Sequence, residues 1–137
     1  MIFIDTGFFF ALSFKKDKSH KRSLEIFTDI SNKEFGSQIT SDYVIDELMT
    51  LIWNRTRNKK FIKDLWSFFV EPTRVVNIIS FSLDYLEETY QLFVKLLDSK
   101  QPLSFTDCSI LFLMKKLNIK YLASFDSNFD GLVSRIY

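Results

Sequence analysis

Short apolar segments alternate with longer amphipathic ones along the chain, and this alternation restricts the possible folds more than any other feature. The first apolar segment, Met1–Ile4, ends at Asp5 and is too short for a helix, so it suits a buried strand. Strands that alternate with helices build a mainly parallel sheet that carries helices on both faces. The pattern therefore predicts a three-layer α/β/α sandwich around a central, mainly parallel sheet.

The spacing of apolar residues gives the expected elements. Two charged segments, Lys15–Arg22 and Arg55–Lys60, interrupt the apolar pattern and are predicted to be connections. We predict strands at residues 1–4, 74–79, 119–125 and 133–137, the last of them at an edge of the sheet, and a further short strand after Gly36 in the segment 35–40. Helices are expected at 8–14, 23–31, about 42–52, 61–69, 82–97 and 104–117.

The size and composition of the chain indicate one globular domain over residues 1–137. Hydrophobic residues make up 47% and charged residues 26%, a balance that excludes a disordered or fibrous chain. The net charge of +1 supplies no overall attraction to nucleic acid, so any attraction must come from local patches. The single cysteine, Cys108, fits a reducing compartment. The longest apolar run, Phe8–Leu12, is far shorter than the roughly 20 residues that span a bilayer, and no signal peptide is recognisable. We therefore expect a cytoplasmic protein.

Four acidic residues stand where predicted strands end or predicted helices begin. Asp5 and Asp126 directly follow apolar strands, and Glu47 and Asp107 fall within the first turns of helices. In an open parallel sheet, ligands bind beyond the carboxyl ends of the strands, and the helices that follow those strands begin at the same edge. The four carboxylates are therefore expected to share one cleft.

Carboxylates that share a cleft repel one another and resist full ionisation unless a cation is present. Mg²⁺ or Mn²⁺ would compensate this charge, because such hard ions prefer oxygen ligands. The leading interpretation is therefore metal-dependent phosphodiester chemistry.

Three of the acids also have ordinary structural explanations. Asp107 stands three residues after Ser104, which is the spacing of a capping box at the start of a helix. Asp5 and Asp126 each precede residues that are common in turns. Asp130 is an alternative to Asp126 as the fourth acid of a site.

Glu47 is harder to explain as a structural residue. At about 100° per residue, it lies on the rim of the buried helix face that Val44 and Leu48 define. No Lys or Arg stands three or four residues from Glu47, so a local ion pair does not account for it.

Four segments of the chain resemble sequence motifs of a known protein family. These segments are Asp5-Thr6-Gly7, Ser41–Leu48 (SDYVIDEL), Leu103–Cys108 (LSFTDC) and Ser124–Phe129 (SFDSNF). Together they resemble PIN-domain ribonucleases, and most closely the VapC-like toxins of toxin–antitoxin pairs. The likeness covers essentially the whole chain, in the order and at the spacing usual for that family.

The resemblance implies a ribonuclease that hydrolyses RNA with one or two Mg²⁺ or Mn²⁺ ions. Thr6 and Ser124 would orient the acids through hydrogen bonds. Asp5 and Asp107 would be direct metal ligands, and the remaining two acids would bind metal or hold water. The implied catalytic and metal-binding residues are Asp5, Glu47, Asp107 and Asp126.

An RNA substrate requires cations near the cleft to contact its phosphates. The candidates are Arg55, Arg57, Lys59 and Lys60, and the stretch Lys15, Lys16, Lys18, Lys21 and Arg22, with a solvated charged face as the alternative for each group. The resemblance also implies a cognate antitoxin that lays an amphipathic segment into an apolar groove near the cleft. Sixteen phenylalanines are more than a core of this size requires, which predicts a homodimer.

Other functional classes fit the sequence less well. An aspartyl phosphatase requires a second acid two residues after the first, where this chain has Gly7. A dinucleotide-binding domain requires a glycine-rich turn, which three glycines in the whole chain do not supply. Two alternatives remain: an RNA-processing PIN nuclease without a toxin role, and a PIN-fold module that binds RNA or protein without cutting.

Overall fold

The computed structural model describes residues 1–70, 72, 74–98 and 103–137. Its strands are β1 (Ile2–Ile4), β2 (Gln38–Ser41), β3 (Asn77–Ile79), β4 (Tyr121–Ala123) and β5 (Ser134–Ile136). Its helices are α1 (Thr6–Ser13), α2 (His20–Ser31), α3 (Asp42–Thr56), α4 (Lys59–Trp66), α5 (Leu83–Leu96) and α6 (Phe105–Lys116). A single 3₁₀ turn, Ser127–Phe129, follows β4.

The five strands form one sheet in the order β3-β2-β1-β4-β5, and every described pair is parallel. The central strand β1 places Ile2 opposite Gln38 of β2 on one side and opposite Tyr121 of β4 on the other. The predicted α/β fold with a parallel central sheet is confirmed, and β5 lies at an edge as expected. All strands therefore end at the same edge of the sheet.

The core forms around β1, whose three residues are completely or almost completely buried. Phe8 of α1 and Ile110 and Leu113 of α6 are also fully buried in this core. Burial of each such side chain contributes roughly 1.5–3 kcal/mol to folding. The helices also pack on one another, α5 on α6, and α1 on both α2 and α3.

Residues 15–19 form the predicted connection, but helices extend into the rest of both charged segments, which corrects their predicted bounds. Helix α2 already begins at His20, whose Nδ1 lies 2.7 Å from the carbonyl oxygen of Ala11. Helix α3 continues to Thr56, and Arg57 ends it in the left-handed conformation with φ of 49°. Asn58 then caps α4 by accepting a hydrogen bond from the backbone N–H of Phe61. Helix α4 also ends earlier than predicted, at Trp66 rather than at residue 69.

The strands are shorter than the sequence predicts. Strand β4 covers 121–123 rather than 119–125, and β3 covers 77–79 rather than 74–79. Strand β4 pairs with all three residues of β1, and β1 ends at Ile4 because Asp5 already serves as the N-terminal cap of α1. In the described part of the chain, none of the helices combines the length and apolar character required to cross a membrane.

Candidate active site

Asp5 lies at the carboxyl end of β1 and is 6% exposed. Its Oδ1 accepts a hydrogen bond of 2.6 Å from the backbone N–H of Thr6, and its Oδ2 accepts one of 2.7 Å from the hydroxyl of Ser124. The pKa of Asp5 is raised to about 7, mainly by burial and in smaller part by the negative charges of Asp107 and Glu47. The two hydrogen bonds lower the pKa but do not offset burial.

Glu47 projects from α3 and is solvent-exposed. Its Oε2 accepts a hydrogen bond of 2.6 Å from the hydroxyl of Thr6 in the first turn of α1. Glu47 therefore has a hydrogen-bond partner on another helix, although no basic residue stands within one turn of it. Thr6 therefore links two acids, since its N–H contacts Asp5 and its hydroxyl contacts Glu47.

Asp107 belongs to a complete capping box at the start of α6. Its Oδ2 accepts a hydrogen bond of 2.7 Å from the backbone N–H of Ser104, whose hydroxyl accepts one of 3.0 Å from the N–H of Asp107. Burial raises the pKa of Asp107, and the charge of Asp126 contributes in the same direction. The structural explanation of this acid is therefore correct, and it is compatible with a role in the cleft because the cap uses only one carboxylate oxygen.

Asp126 and Asp130 have different surroundings. The backbone N–H of Asp126 donates to the Ser124 hydroxyl at 3.0 Å, and its Oδ1 accepts a hydrogen bond of 2.8 Å from the N–H of Asn128. Asp130 instead forms an ion pair of 2.7 Å with Arg135. Of these two acids, Asp126 is the one that lines the cleft.

The structure brings the four predicted acids to a single cleft of about 450 Å³. Ser124 connects two of its walls, because its hydroxyl donates to Asp5 and accepts from the backbone of Asp126. Leu51 and Asn128 also line this cleft, and the sequence alone did not predict this. The only signal for Asn128 is its spacing from Asp126, which is typical of a turn. The residues lining the cleft are Asp5, Thr6, Gly7, Glu47, Leu51, Ser104, Asp107, Asp126 and Asn128.

The oxygen-only, acidic donor set fits a hard divalent cation. Within the described ranges, no three acidic, histidine or cysteine side chains are arranged to hold a metal ion together. A hard divalent cation does not require such a cluster, because it can bind to one or two carboxylates and keep several waters. The raised pKa of Asp5 provides the electrostatic reason for such an ion, since a cation would favour the ionised carboxylate.

The predicted RNA-binding cations occupy different places. Arg55 lines a second pocket that shares Leu51 with the acidic cleft. The guanidinium of Arg57 lies over the ring of Trp53 at 5.1 Å from its centroid, and Lys60 forms an ion pair with Asp64. Lys59 is exposed in the first turn of α4, Lys21 is exposed in the first turn of α2, and Lys15 is exposed directly after the C-terminal cap of α1. Of the remaining predicted cations, Lys16 and Lys18 line the second pocket together with Arg55, and Arg22 pairs with Glu25.

The chain is similar in sequence to known proteins. The family model of the PIN domain matches residues 2–133. A VapC ribonuclease from Archaeoglobus fulgidus is 30% identical over 128 residues, which are 93% of this chain and 78% of that protein.

Two solved structures share the fold. VapC20 from Mycobacterium tuberculosis, a toxin that cleaves the sarcin–ricin loop, has a TM-score of 0.81 at 23% identity and covers 96% of this chain and 95% of its own. VapBC2 from Rickettsia felis, bound to a DNA fragment from its promoter, has a TM-score of 0.69 at 17% identity, covering 99% and 98%.

Proposed function

The chain belongs to the PIN domain family, and on this basis we propose that it is a metal-dependent endoribonuclease that acts as the toxin of a toxin–antitoxin pair. The observation that carries the proposal is the single cleft lined by Asp5, Glu47, Asp107 and Asp126. The similarity to a VapC ribonuclease supports RNA as the substrate. The substrate and the free cysteine Cys108 are both consistent with a cytoplasmic protein.

Asp5 and Asp107 are the proposed direct ligands of the metal, with Mg²⁺ as the first choice and Mn²⁺ as the second. The two acids are close enough to interact electrostatically, since the negative charge of Asp107 raises the pKa of Asp5. Glu47 and Asp126 flank this pair and would bind metal or hold water. When bound, such an ion polarises the phosphate and lowers the pKa of a bound water.

The other residues of the cleft hold the acids in position. The Thr6 hydroxyl fixes Glu47, and the Ser124 hydroxyl fixes Asp5. The Ser104 backbone fixes Asp107 through the capping box. Partners of this kind orient metal ligands, and their loss commonly reduces metal affinity or activity by about 10- to 100-fold. We retain Asp126 rather than Asp130 as the fourth acid, because the carboxylate of Asp130 is paired with Arg135.

The proposed partners are an RNA strand and a cognate antitoxin. The solved VapBC2 complex supports an antitoxin, since its fold matches that of this chain over almost the whole length. For RNA, the cations closest to the cleft are the strongest candidates, and of the four predicted on α3 and α4 only Arg55 lines the pocket next to the acids.

We also propose that the protein forms a homodimer. The described exposed apolar side chains include four on one side of α5 and its C-terminal cap, at a spacing of seven, four and three residues, which places them on one helix face. These residues are Leu83, Tyr90, Val94 and Leu97. Of the sixteen phenylalanines, only Phe68 is among the described exposed side chains, so the aromatic excess itself does not form the surface.

A cleavage assay tests the central proposal. Wild-type protein is incubated with several structured RNAs in Mg²⁺, in Mn²⁺ and in EDTA, next to the variants Asp5→Asn and Asp107→Asn. We expect cleavage only with metal, and of these three proteins only by the wild type. Asp130→Asn is the control acid outside the cleft and should cleave normally. Equal cleavage by wild type and Asp5→Asn, or cleavage by neither, would contradict a nuclease and favour a binding module.

A further inference from the structure

A second pocket of about 310 Å³ adjoins the acidic cleft. The loop between α1 and α2 contributes one side, and the C-terminal half of α3 contributes the other. It combines three cations with two aromatic rings, and its lining residues are Phe10, Phe14, Lys16, Asp17, Lys18, Leu51 and Arg55. We call it the basic pocket.

A continuous surface connects the basic pocket to the acids. Helices α1 and α3 pack against each other, and both begin at the edge of the sheet that carries the acids. On α3, Glu47 lies in the cleft, Leu51 lines both cavities, and Arg55 lies in the basic pocket. These three residues are four apart, so they follow one face of the helix over about 12 Å.

Helix α1 repeats this arrangement. Thr6 lies in the cleft, and Phe10 and Phe14 line the basic pocket at intervals of four residues. The Thr6 hydroxyl contacts Glu47, so the two helices are in register at the acidic end. The two cavities are therefore neighbouring parts of one groove between α1 and α3.

The positive charge of the basic pocket is largely uncompensated. Among the described residues, no side-chain hydrogen bond or ion pair involves Lys16, Lys18 or Arg55. The one acid of the pocket, Asp17, accepts a hydrogen bond of 2.8 Å from the backbone N–H of Ser19 and so serves the turn before α2. Three cations against one acid leave a site that favours an anion.

The aromatic side of the pocket suits a nucleobase. The rings of Phe10 and Phe14 lie 5.2 Å apart, and both are only half-buried. Half-buried rings beside cations are the combination that single-strand nucleic-acid sites use, with ring faces for bases and cations for phosphates.

We propose that the basic pocket binds the RNA nucleotides adjacent to the cleaved bond. Lys16, Lys18 and Arg55 contact their phosphates, and Phe14 together with Phe10 stacks against a base. This subsite rests on the proposed ribonuclease function. It positions the strand so that the next phosphate enters the acidic cleft, whose own negative charge would otherwise repel RNA.

Binding of a labelled, mixed-sequence single-stranded RNA tests the subsite without relying on cleavage. All proteins carry Asp5→Asn, so that the RNA stays intact. Arg55→Ala and the double variant Lys16→Ala/Lys18→Ala should weaken binding, and each lost phosphate contact should reduce the salt slope by about 0.7. Lys120→Ala is the matched control, because Lys120 precedes β4 and lies at the opposite edge of the sheet.

The aromatic contact has its own pair of variants. Phe14→Leu keeps an apolar side chain and should weaken RNA binding by roughly 5- to 150-fold, while Phe14→Tyr keeps a ring and should bind almost normally. Thermal unfolding of both variants distinguishes lost stacking from lost folding, since Phe14 also lies 6.3 Å from the ring of Phe61.

Two results would overturn the subsite. One is RNA binding by the Arg55 and lysine variants that equals the binding of Lys120→Ala. The other is that Arg55 is required for binding of a glutamate-rich peptide but not for binding of RNA. That result would make the pocket a protein-docking site. If wild-type protein cleaves RNA but these variants bind normally, only the subsite fails. If no metal-dependent cleavage occurs although the variants lose binding, only the nuclease proposal fails.

Discussion

Asp5 has the least favourable electrostatic environment of the acids in the cleft. Burial holds its carboxyl away from water, and two further acids add their negative charge, so its pKa rises from 3.8 to about 7. The folded state therefore prefers the protonated form. The stabilisation from this preference is fully present below about pH 4 and is lost as the pH rises through about 7.

The first prediction concerns the pH dependence of stability without metal. In EDTA, the free energy of unfolding of the wild type should fall between about pH 4 and pH 7. Asp5→Asn should show a smaller fall, because the raised pKa of Asp107 still contributes to it. Above about pH 7 this variant should be more stable than the wild type. The rise in the pKa of Asp5 corresponds to roughly 4 kcal/mol. This figure is an upper limit, because asparagine retains only one accepting oxygen. Urea unfolding at both ends of this range measures the difference.

The control for this prediction is Glu34→Gln, which neutralises an exposed acid in the turn after α2. It should follow the wild-type pH profile. Added Mg²⁺ should raise the stability of the wild type at high pH and leave Asp5→Asn unchanged, because an ion that binds only the folded state stabilises it. Identical profiles for wild type and Asp5→Asn would contradict the electrostatic account of the cleft.

The second prediction concerns Thr6, which is 5% exposed and donates its hydroxyl to Glu47. Thr6→Val has almost the same shape but lacks this donor. It should reduce metal affinity and cleavage by about 10- to 100-fold, since Glu47 loses its orienting partner. Thr6→Ser keeps the hydroxyl and should retain most activity. Mg²⁺ titration is the decisive measurement, because a purely structural role for Thr6 would change the unfolding temperature and leave metal affinity as it was.

At the scale of elements, the N-terminal cap of α6 combines two roles. Ser104 stabilises the helix and also fixes Asp107 in the cleft. Ser82 caps α5 in a similar way, by accepting a hydrogen bond from the N–H of Tyr85, but it is not part of the cleft. These two serines therefore separate helix stability from the geometry of the site.

The third prediction compares the two caps. Ser104→Ala and Ser82→Ala should each lower the free energy of unfolding by about 1 kcal/mol. Only Ser104→Ala should also reduce cleavage, because it removes the hydroxyl that accepts a hydrogen bond from the N–H of Asp107 and so loosens the helix turn that carries this acid, although the Ser104 N–H that holds its carboxylate remains. Chemical denaturation and cleavage rates, measured on both variants, test the comparison. Equal cleavage by both would show that the capping box does not position Asp107.

The sequence predicts the elements better than their limits. Helix α2 begins at His20 because a contact with Ala11 of α1 holds its first turn, and such a tertiary contact leaves no local pattern. Charge alone indicated a loop at 55–60, yet the break between α3 and α4 consists of Arg57 in the left-handed conformation and the capping residue Asn58. The length of β4 matches that of its partner β1, a constraint that the residues of β4 do not reveal.

The same distinction applies to the candidate site. The four acids could be assigned to one edge of the sheet because parallel strands end there. The contact between Thr6 and Glu47, and the basic pocket between α1 and α3, depend on how two helices pack. Lys16 and Arg55 are separated by almost 40 residues, so only the folded chain shows that they line one pocket. The catalytic roles of the acids remain predictions.

At the scale of the whole molecule, helix α5 presents an exposed apolar face among the described residues. Leu83 is 76% exposed and Tyr90 is 53% exposed. Both also line a cavity of about 530 Å³ whose wall includes Phe105, the first residue of α6. Phe105 directly follows Ser104 of the acidic cleft, so a second copy bound at α5 would lie next to the site.

The fourth prediction follows from this face. The wild type should behave as a dimer in light scattering, and Tyr90→Asp should shift it towards the monomer mass of 16.3 kDa, because a charge in an apolar interface has no partner there. Leu24→Asp is the matched control, since Leu24 is 47% exposed on α2 but lies outside the α5 face. It should leave the mass unchanged. A monomeric wild type would contradict the homodimer, while equal loss of mass in both variants would show that the effect of Tyr90→Asp is not specific to α5.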